Sequence, residues 1–135
     1  MPLEETVMHV MKRGAITCSR EASVREVAQI MAMNRIHYCV VVNESHEVLG
    51  IISARSILRA FGKDLDFTKA KDILLPYTIT ITPSSPLSEA IDLMVRKRIE
   101  HLIVVSDRPG SKVVYGLLHG EDLVFAMAGR KEAKP

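Results

Sequence analysis

The chain has no tryptophan, and its only aromatic residues are three tyrosines and three phenylalanines among 135 residues. A surface that stacks nucleic acid bases needs several aromatic side chains, so this composition disfavours one. Long apolar runs are also absent, since runs such as 38–42 fall far short of the roughly 20 residues that cross a bilayer. The N-terminus shows no apolar signal-peptide core. The sequence therefore predicts a soluble, cytoplasmic protein without a membrane span.

Cysteine is scarce as well. The two cysteines, Cys18 and Cys39, both have apolar neighbours in the sequence. Only the fold can bring them together, and we expect two buried thiols that act as small apolar side chains. No pair among the five histidines has the spacing of zinc ligands, so no metal site is predicted.

The two signs of charge are nearly balanced, with 18 Lys and Arg against 16 Asp and Glu. A net charge of +2 does not by itself predict nucleic acid binding. The basic clusters at 96–98 and 130–131 are interpreted as a solvated helix face and a frayed terminus. Nucleic acid binding through them is a minor alternative, which predicts a steep loss of affinity with salt.

Catalytic motifs are missing too. The sequence contains no GxSxG, HExxH, CxxC or GxxxxGK[ST] pattern. Isolated Ser, His and Asp residues occur in every soluble domain and indicate no reaction. We therefore predict that the chain is not an enzyme and holds no catalytic cofactor.

The sequence does contain one unit twice. When the chain is aligned with itself, the pairs that coincide include Ile16 with Ile79, Thr17 with Thr80, Glu26 with Glu89, Met31 with Met94 and Val41 with Val104. After a short insertion near Pro109, the match resumes with Gly50 on Gly116. A loop is where two copies of one unit tolerate an insertion. The predicted repeats are 4–66 and 67–128, followed by a disordered tail at 129–135.

Each copy predicts the order β-α-β-β-α, preceded by a short helical stretch at 6–12 or 69–74. The first long helix carries apolar residues at helical spacing, such as Val24, Val27 and Met31. Ser23 and Glu26 form a capping-box pattern at its start, and Pro86 suits the first turn of the equivalent helix. The predicted fold class is α+β with an α/β-like order, in which two copies related by pseudo-twofold symmetry pack their sheets together.

In each copy the last strand turns directly into a helix, at 50–56 and 116–122. The unpaired N–H groups and positive dipole end of such a helix favour an anion. A carboxylate one turn into the helix can accept two hydrogen bonds from a ribose diol. A hydroxyl at the helix start can cap the helix or contact a phosphate.

The doubled unit resembles a pair of CBS domains (cystathionine-β-synthase domains, together called a Bateman module). The resemblance covers about residues 4–128: a Thr-containing extended segment, a helix with Met, an apolar strand and a Gly-h-h-[Ser/Thr]-x-x-Asp junction, where h is apolar. It implies a standalone regulatory module that binds AMP, ADP or ATP, and sometimes S-adenosylmethionine, in clefts between the repeats. It also implies a disc-shaped homodimer.

The resemblance assigns a role to each junction residue. Asp122 matches the ribose-binding Asp of the family, whereas His119 stands where Ser or Thr is usual. Ser53 keeps the usual hydroxyl, but Ser56 replaces the Asp. We therefore expect the cleft at Asp122 to bind ribose, and the cleft at Ser56 to bind more weakly or not at all. Asp122 and Ser53 would also stabilise their helices without any ligand.

In this family, the positions before the buried strand usually hold a phosphate-binding His or Arg. Here these positions hold His37 and Tyr38 in one copy, and Glu100 and His101 in the other. The candidate phosphate donors are therefore His101 and, from the 50–56 junction, Arg55, whose guanidinium suits a phosphate. The resemblance also implies residues that contact the base: the apolar Ile51 and Leu117, then Thr17, Cys18 and Ser23 for the Asp122 cleft, and Thr80, Ile81 and Pro86 for the Ser56 cleft.

The predicted function is therefore the sensing of adenine nucleotides, AMP first, as in an energy sensor. Ligand binding would change the surface that the module presents to an unknown effector protein or to its dimer partner. One alternative is a ligand-free CBS pair that serves as a dimerisation scaffold, which the substitutions at Ser56 and His119 favour. Another is an S-adenosylmethionine sensor, because that ligand shares the adenosine and lacks the phosphates.

Overall fold

The computed structural model describes residues 5–75 and 79–129. They divide into two compact units. We call 15–75 the central unit, and 5–14 together with 79–129 the terminal unit. Of the predicted disordered tail, all but Gly129 lies outside the described residues.

The mixed helix and strand order predicted from the repeat is present. In chain order, the elements are a 3-10 turn (Val7–His9), β1 (Lys12–Arg13), β2 (Thr17–Ser19), α1 (Val24–Asn34), β3 (Tyr38–Val42), β4 (Val48–Ser53), α2 (Ala54–Arg59), α3 (Ala70–Ile73), β5 (Thr80–Ile81), α4 (Leu87–Lys97), β6 (His101–Val105), β7 (Val114–His119) and α5 (Gly120–Met127).

The central unit contains a three-stranded sheet with strand order β2-β3-β4. β2 runs parallel to β3, and β4 runs antiparallel to it. β3 has three fully buried residues in a row because both of its faces are covered, as its continuous apolar sequence predicts. Val27 and Met31 of α1 pack into the same core.

The terminal unit contains a four-stranded sheet with strand order β1-β7-β6-β5. β5 runs parallel to β6, and β7 is antiparallel to both of its neighbours. Leu87, Ala90 and Met94 of α4 are buried in its core, at the helical spacing that the sequence shows. Each unit thus places a strand-to-helix junction, β4–α2 or β7–α5, at the end of a buried sheet.

The prediction of a helical stretch at 6–12 is wrong for its second half. Only Val7–His9 form a 3-10 turn, and Lys12 and Arg13 are extended and pair with Leu117 and Gly116 of β7. Gly116 is required there, because a Cβ atom at that position would collide with the backbone carbonyl of Lys12. Backbone pairing, rather than side-chain pattern, determines the structure of this segment.

The helix starts follow the predicted capping chemistry in part. The Ser23 hydroxyl accepts a hydrogen bond from the Glu26 N–H at 3.1 Å, and the Glu26 carboxylate accepts one from the Ser23 N–H at 2.8 Å. Pro86, however, is the N-cap of α4 rather than its first helical residue, since its backbone is still extended. Among the described residues, no helix is long and apolar enough to cross a membrane.

Candidate functional site

The β7–α5 junction of the terminal unit holds a buried carboxylate. Asp122 is only 8% exposed, and its Oδ2 atom accepts a hydrogen bond from the backbone N–H of His119 at 3.0 Å. The next amide, Gly120 N–H, donates to the Glu100 carbonyl oxygen at 2.8 Å, which ties the helix start to the residue before β6. The junction is therefore fixed on both sides, and Asp122 is held one turn into α5.

Two histidines lie at the ends of the strands that form this junction. His101 and His119 are direct cross-strand partners in β6 and β7. Burial lowers the pKa of His101, and the neighbouring His119 lowers it further because two imidazolium charges would repel each other. His101 is thus held in its neutral form near pH 7. A neutral imidazole can both donate and accept a hydrogen bond.

The β4–α2 junction of the central unit has the same backbone arrangement with different side chains. The Ser53 hydroxyl accepts from the Ser56 N–H at 3.2 Å, and the Ser53 N–H donates to the Ser56 hydroxyl oxygen at 3.3 Å. The Ala54 N–H donates to the His37 carbonyl oxygen at 3.0 Å. Ser56 is only 4% exposed. Because their hydrogen bonds are reciprocal, both serines are used to cap α2.

The two junctions therefore differ mainly in charge. Asp122 carries a carboxylate with two acceptor oxygens, of which the cap uses one in the hydrogen bond from His119. Ser56 has a single hydroxyl that is engaged with Ser53. A diol that donates two hydrogen bonds finds a suitable acceptor at Asp122 and a much poorer one at Ser56.

The remaining predicted site residues divide between the units. The terminal unit holds Leu117, Thr80, Ile81 and Pro86, and the central unit holds Thr17, Cys18, Ser23, Arg55, Ile51, His37 and Tyr38. The hydroxyl of Ser23 is used in the capping box of α1, and Cys18 is buried in the core. The structural roles of Ser23 and Cys18 are thus clear. The ligand-binding roles of all these residues stay predictions.

Arg55 lies on the exposed side of α2. Together with Leu58 and Arg59 it lines an open surface depression of about 490 Å³. In the part of the chain that the structure describes, no three His, Cys, Asp or Glu side chains are grouped in a way that could hold a metal ion.

Comparison with known proteins shows the family to which the chain belongs. The sequence profile of the CBS domain matches the chain twice, at residues 7–63 and 70–129. The chain belongs to the CBS domain family. The two matches place one CBS domain on each copy of the internal repeat, and each match includes one strand-to-helix junction.

Related proteins show how widely this CBS pair is shared. The chain is 35% identical over 105 residues to the uncharacterised protein MK0525 of Methanopyrus kandleri, a match that covers 76% of this chain and 54% of that protein. The matched part is 24%, 13% and 35% of the length of the next three curated relatives. The CBS pair thus spans about half or less of these proteins.

Solved structures resemble it over nearly their full length. The CBS domain protein PAE2072 of Pyrobaculum aerophilum, solved in complex with AMP, has a TM-score of 0.77 and 31% identity and covers 91% of this chain and 93% of its own. The CBS domain pair of protein MJ0100, solved with 5-methylthioadenosine and S-adenosyl-L-methionine, has a TM-score of 0.80 at 23% identity, with coverages of 92% and 96%. The second likeness shows a shared fold.

Sequence reasoning missed what joins the CBS junctions to their sheets. The carbonyl groups of His37 and Glu100 hold the first amides of α2 and α5, and these are backbone contacts. No side-chain pattern signals them. Only the equivalence of His37 with Glu100 in the repeat, together with the antiparallel register of the following strands, would have revealed this contact.

Proposed function

We propose that this chain is a non-catalytic regulatory module that binds an adenosine-containing ligand, AMP first, with Asp122 as the acceptor for the ribose hydroxyls. The observation that carries the proposal is the buried carboxylate at the start of α5. A bound ligand would favour one arrangement of the module and so change what it presents to a partner.

The local chemistry supports an adenosine ligand over an unrelated anion. A carboxylate repels phosphate directly, so its natural partners at this position are hydroxyl donors such as the ribose diol. The neutral His101, on the strand paired with β7, can donate or accept a hydrogen bond with the more polar parts of the ligand. The apolar side chain of Leu117 in β7 offers a surface for a ring.

The family relationship supports the same ligand class. The Pyrobaculum protein at 31% identity was solved with AMP, and the more distant MJ0100 pair was solved with two other adenosine derivatives. All three of these ligands carry a ribose, which is the group that Asp122 would bind. S-adenosylmethionine therefore remains the second candidate, and the test must separate it from AMP.

Thermal unfolding of ligand-free protein against AMP, ADP, ATP, NAD and S-adenosylmethionine tests the proposal. A ligand at 100 times its Kd stabilises the fold by about 2.7 kcal/mol, which raises the Tm by several degrees for a chain of this size. We expect the largest rise with AMP. A rise with S-adenosylmethionine alone would indicate a regulatory module whose ligand is S-adenosylmethionine rather than AMP. No rise with any compound would refute ligand binding and favour the dimerisation scaffold.

Asp122→Asn distinguishes ligand binding from helix capping. The amide oxygen of Asn can still accept the hydrogen bond from His119, but its NH₂ group replaces the second acceptor oxygen. Loss of a charge-assisted hydrogen bond worth about 1.5–3 kcal/mol weakens AMP binding by about 10- to 100-fold. Ser56→Ala, at the equivalent position of the other junction, is the matched control and leaves AMP binding unchanged.

We also propose that the module forms a homodimer to which exposed apolar side chains in or just after α2 and in α5 contribute. Large apolar side chains are exposed at equivalent positions of the two copies, Leu58 and Val124, then Phe61 and Met127, and Phe61 is 92% exposed. Sedimentation velocity should show a dimer that Phe61→Asp dissociates. Met33→Asp, at an 81% exposed position of α1, should leave it intact. A monomeric wild type would refute this proposal.

A further inference from the structure

The two cysteines of the chain lie together in the core of the central unit. Cys18 of β2 is paired with Val41 of β3, and Cys39 is two residues before Val41. Since side chains alternate along a strand, Cys39 and Val41 point to the same face, and Cys18 points to that face too. Both thiols are buried and unbridged, and both belong to the same apolar cluster.

The Cys39 thiol also contacts the chain beside Cys18. Its S–H group donates a weak hydrogen bond to the Ile16 carbonyl oxygen at 3.8 Å, two residues before Cys18. Interaction between the two thiols lowers the pKa of Cys18, and the same interaction together with burial raises the pKa of Cys39. Cys18 is thus the thiol of the pair that more readily forms a thiolate.

The position of β2 explains how a reagent reaches this pair. β2 is an edge strand of only three residues, and Cys18 retains 7% of its exposure whereas Cys39 has none. A short edge strand opens locally at a lower free energy than a central strand. Opening of β2 therefore exposes Cys18 first and leaves Cys39 beneath it.

We propose that Cys18 and Cys39 form a reversible redox-modification site that becomes an intramolecular disulfide on reaction with a small disulfide such as oxidised glutathione. The Cys18 thiolate attacks one sulfur of the oxidant, whose S–S bond breaks and whose other sulfur leaves as a thiolate. Cys39 then gives up its proton and attacks the Cys18 sulfur, which releases the second thiol. Two protein thiols are oxidised, one oxidant disulfide is reduced to two thiols, and the protons pass to the leaving thiolates.

The new disulfide would join the edge strand β2 to the central strand β3 and so close the segment that contains α1 into a covalent loop. It would restrict the local opening of β2, and a thiol reductant would reverse it. This inference rests on two side chains within the central unit and does not require the proposed ligand. Because Cys18 is also a predicted base-contacting residue, the test uses ligand-free protein.

Intact mass measurement tests it on the wild-type protein. The reduced, folded chain is incubated with oxidised glutathione, and remaining thiols are alkylated under denaturing conditions. We expect a product that has lost the mass of two hydrogen atoms, takes up no alkyl group and regains both thiols after reduction. The same chain oxidised in denaturant is the positive control for the reagent.

The variants identify the order of attack. Cys39→Val should stop at one glutathione adduct on Cys18, and Cys18→Val should remain unmodified while folded. Retention of both thiols in the folded wild type, accumulation of glutathione adducts without the internal bond, or disulfides between chains would each overturn the proposal. The wild-type result decides it even when a variant does not fold.

Discussion

At the scale of single residues, the backbone at two arginines is unusual. Arg35 and Arg98 occupy equivalent positions after α1 and α4, and both have left-handed backbones, with φ of 53° and 55°. The amide of Ile36 donates to the Met31 carbonyl and that of Arg35 to the Ala32 carbonyl, which is the Schellman pattern of helix termination. Glycine adopts this conformation without a steric penalty, whereas other residues do not.

The order of two substitutions at this position tests that interpretation. Arg35→Gly should be more stable than Arg35→Ala by about 1 kcal/mol, because both lose the same charge and only Gly avoids the left-handed penalty. At Met33, which lies inside α1, Met33→Ala should instead be more stable than Met33→Gly by about 1 kcal/mol, because glycine is unfavourable within a helix. Urea unfolding measures all four variants. The same order at both positions would contradict the assigned termination.

His101 should make stability depend on pH. Burial and His119 lower its pKa below 6.5, so the unfolded chain binds this proton more readily than the folded chain. The stability that the fold gains from a neutral His101 is complete above pH 6.5. It is lost as the pH falls from 6.5 through the lowered pKa of His101. In urea unfolding between pH 5 and 8, His101→Gln should flatten the profile. Equal slopes in wild type and variant would refute the assignment.

At the scale of elements, one glycine determines whether β1 can pair. Gly116→Ala places a Cβ atom against the Lys12 backbone, so we expect loss of the β1–β7 pairing and about 1–3 kcal/mol of stability. Gly120→Ala is the control, since the nearest atoms to its Cβ position are at 3.6 Å or beyond. Hydrogen exchange at the Gly14 amide, which donates to Tyr115, reports the pairing directly. Equal stability of the two variants would contradict this account.

The same elements show what the sequence could predict. The apolar run at 38–42 coincides with β3, because a continuous apolar run carries its own signal of burial. β1 was missed, because Lys12 and Arg13 are exposed and contribute only backbone hydrogen bonds. The contact between Cys18 and Cys39 was left open, since it depends on the register of two parallel strands separated in the chain by α1.

At the scale of the whole molecule, repeats and compact units do not coincide. The sequence repeats at 4–66 and 67–128, whereas the terminal unit combines residues 5–14 with 79–129. Lys12, near the start of the first copy, pairs with Leu117 in the sheet of the second, and Leu75, near the start of the second copy, pairs with Ile51 of the first. Self-alignment detects equivalent residues, but it carries no information on which sheet a leading segment joins.

The candidate site was predictable to a similar extent. The repeat located both junctions, and the family resemblance distinguished Asp122 from Ser56. The hydrogen bonds by which Ser53 and Ser56 satisfy each other depend on local geometry that the sequence pattern does not specify. Those hydrogen bonds give a physical reason to expect one ribose site in the chain rather than two.

Calorimetric titration of AMP into the ligand-free protein tests this central claim most directly. We predict binding of one AMP per chain, affinity reduced by about 10- to 100-fold in Asp122→Asn, and no change in Ser56→Ala. Unchanged affinity in Asp122→Asn, or no AMP binding by the folded wild type, would contradict the assignment of Asp122 as the acceptor for the ribose of AMP.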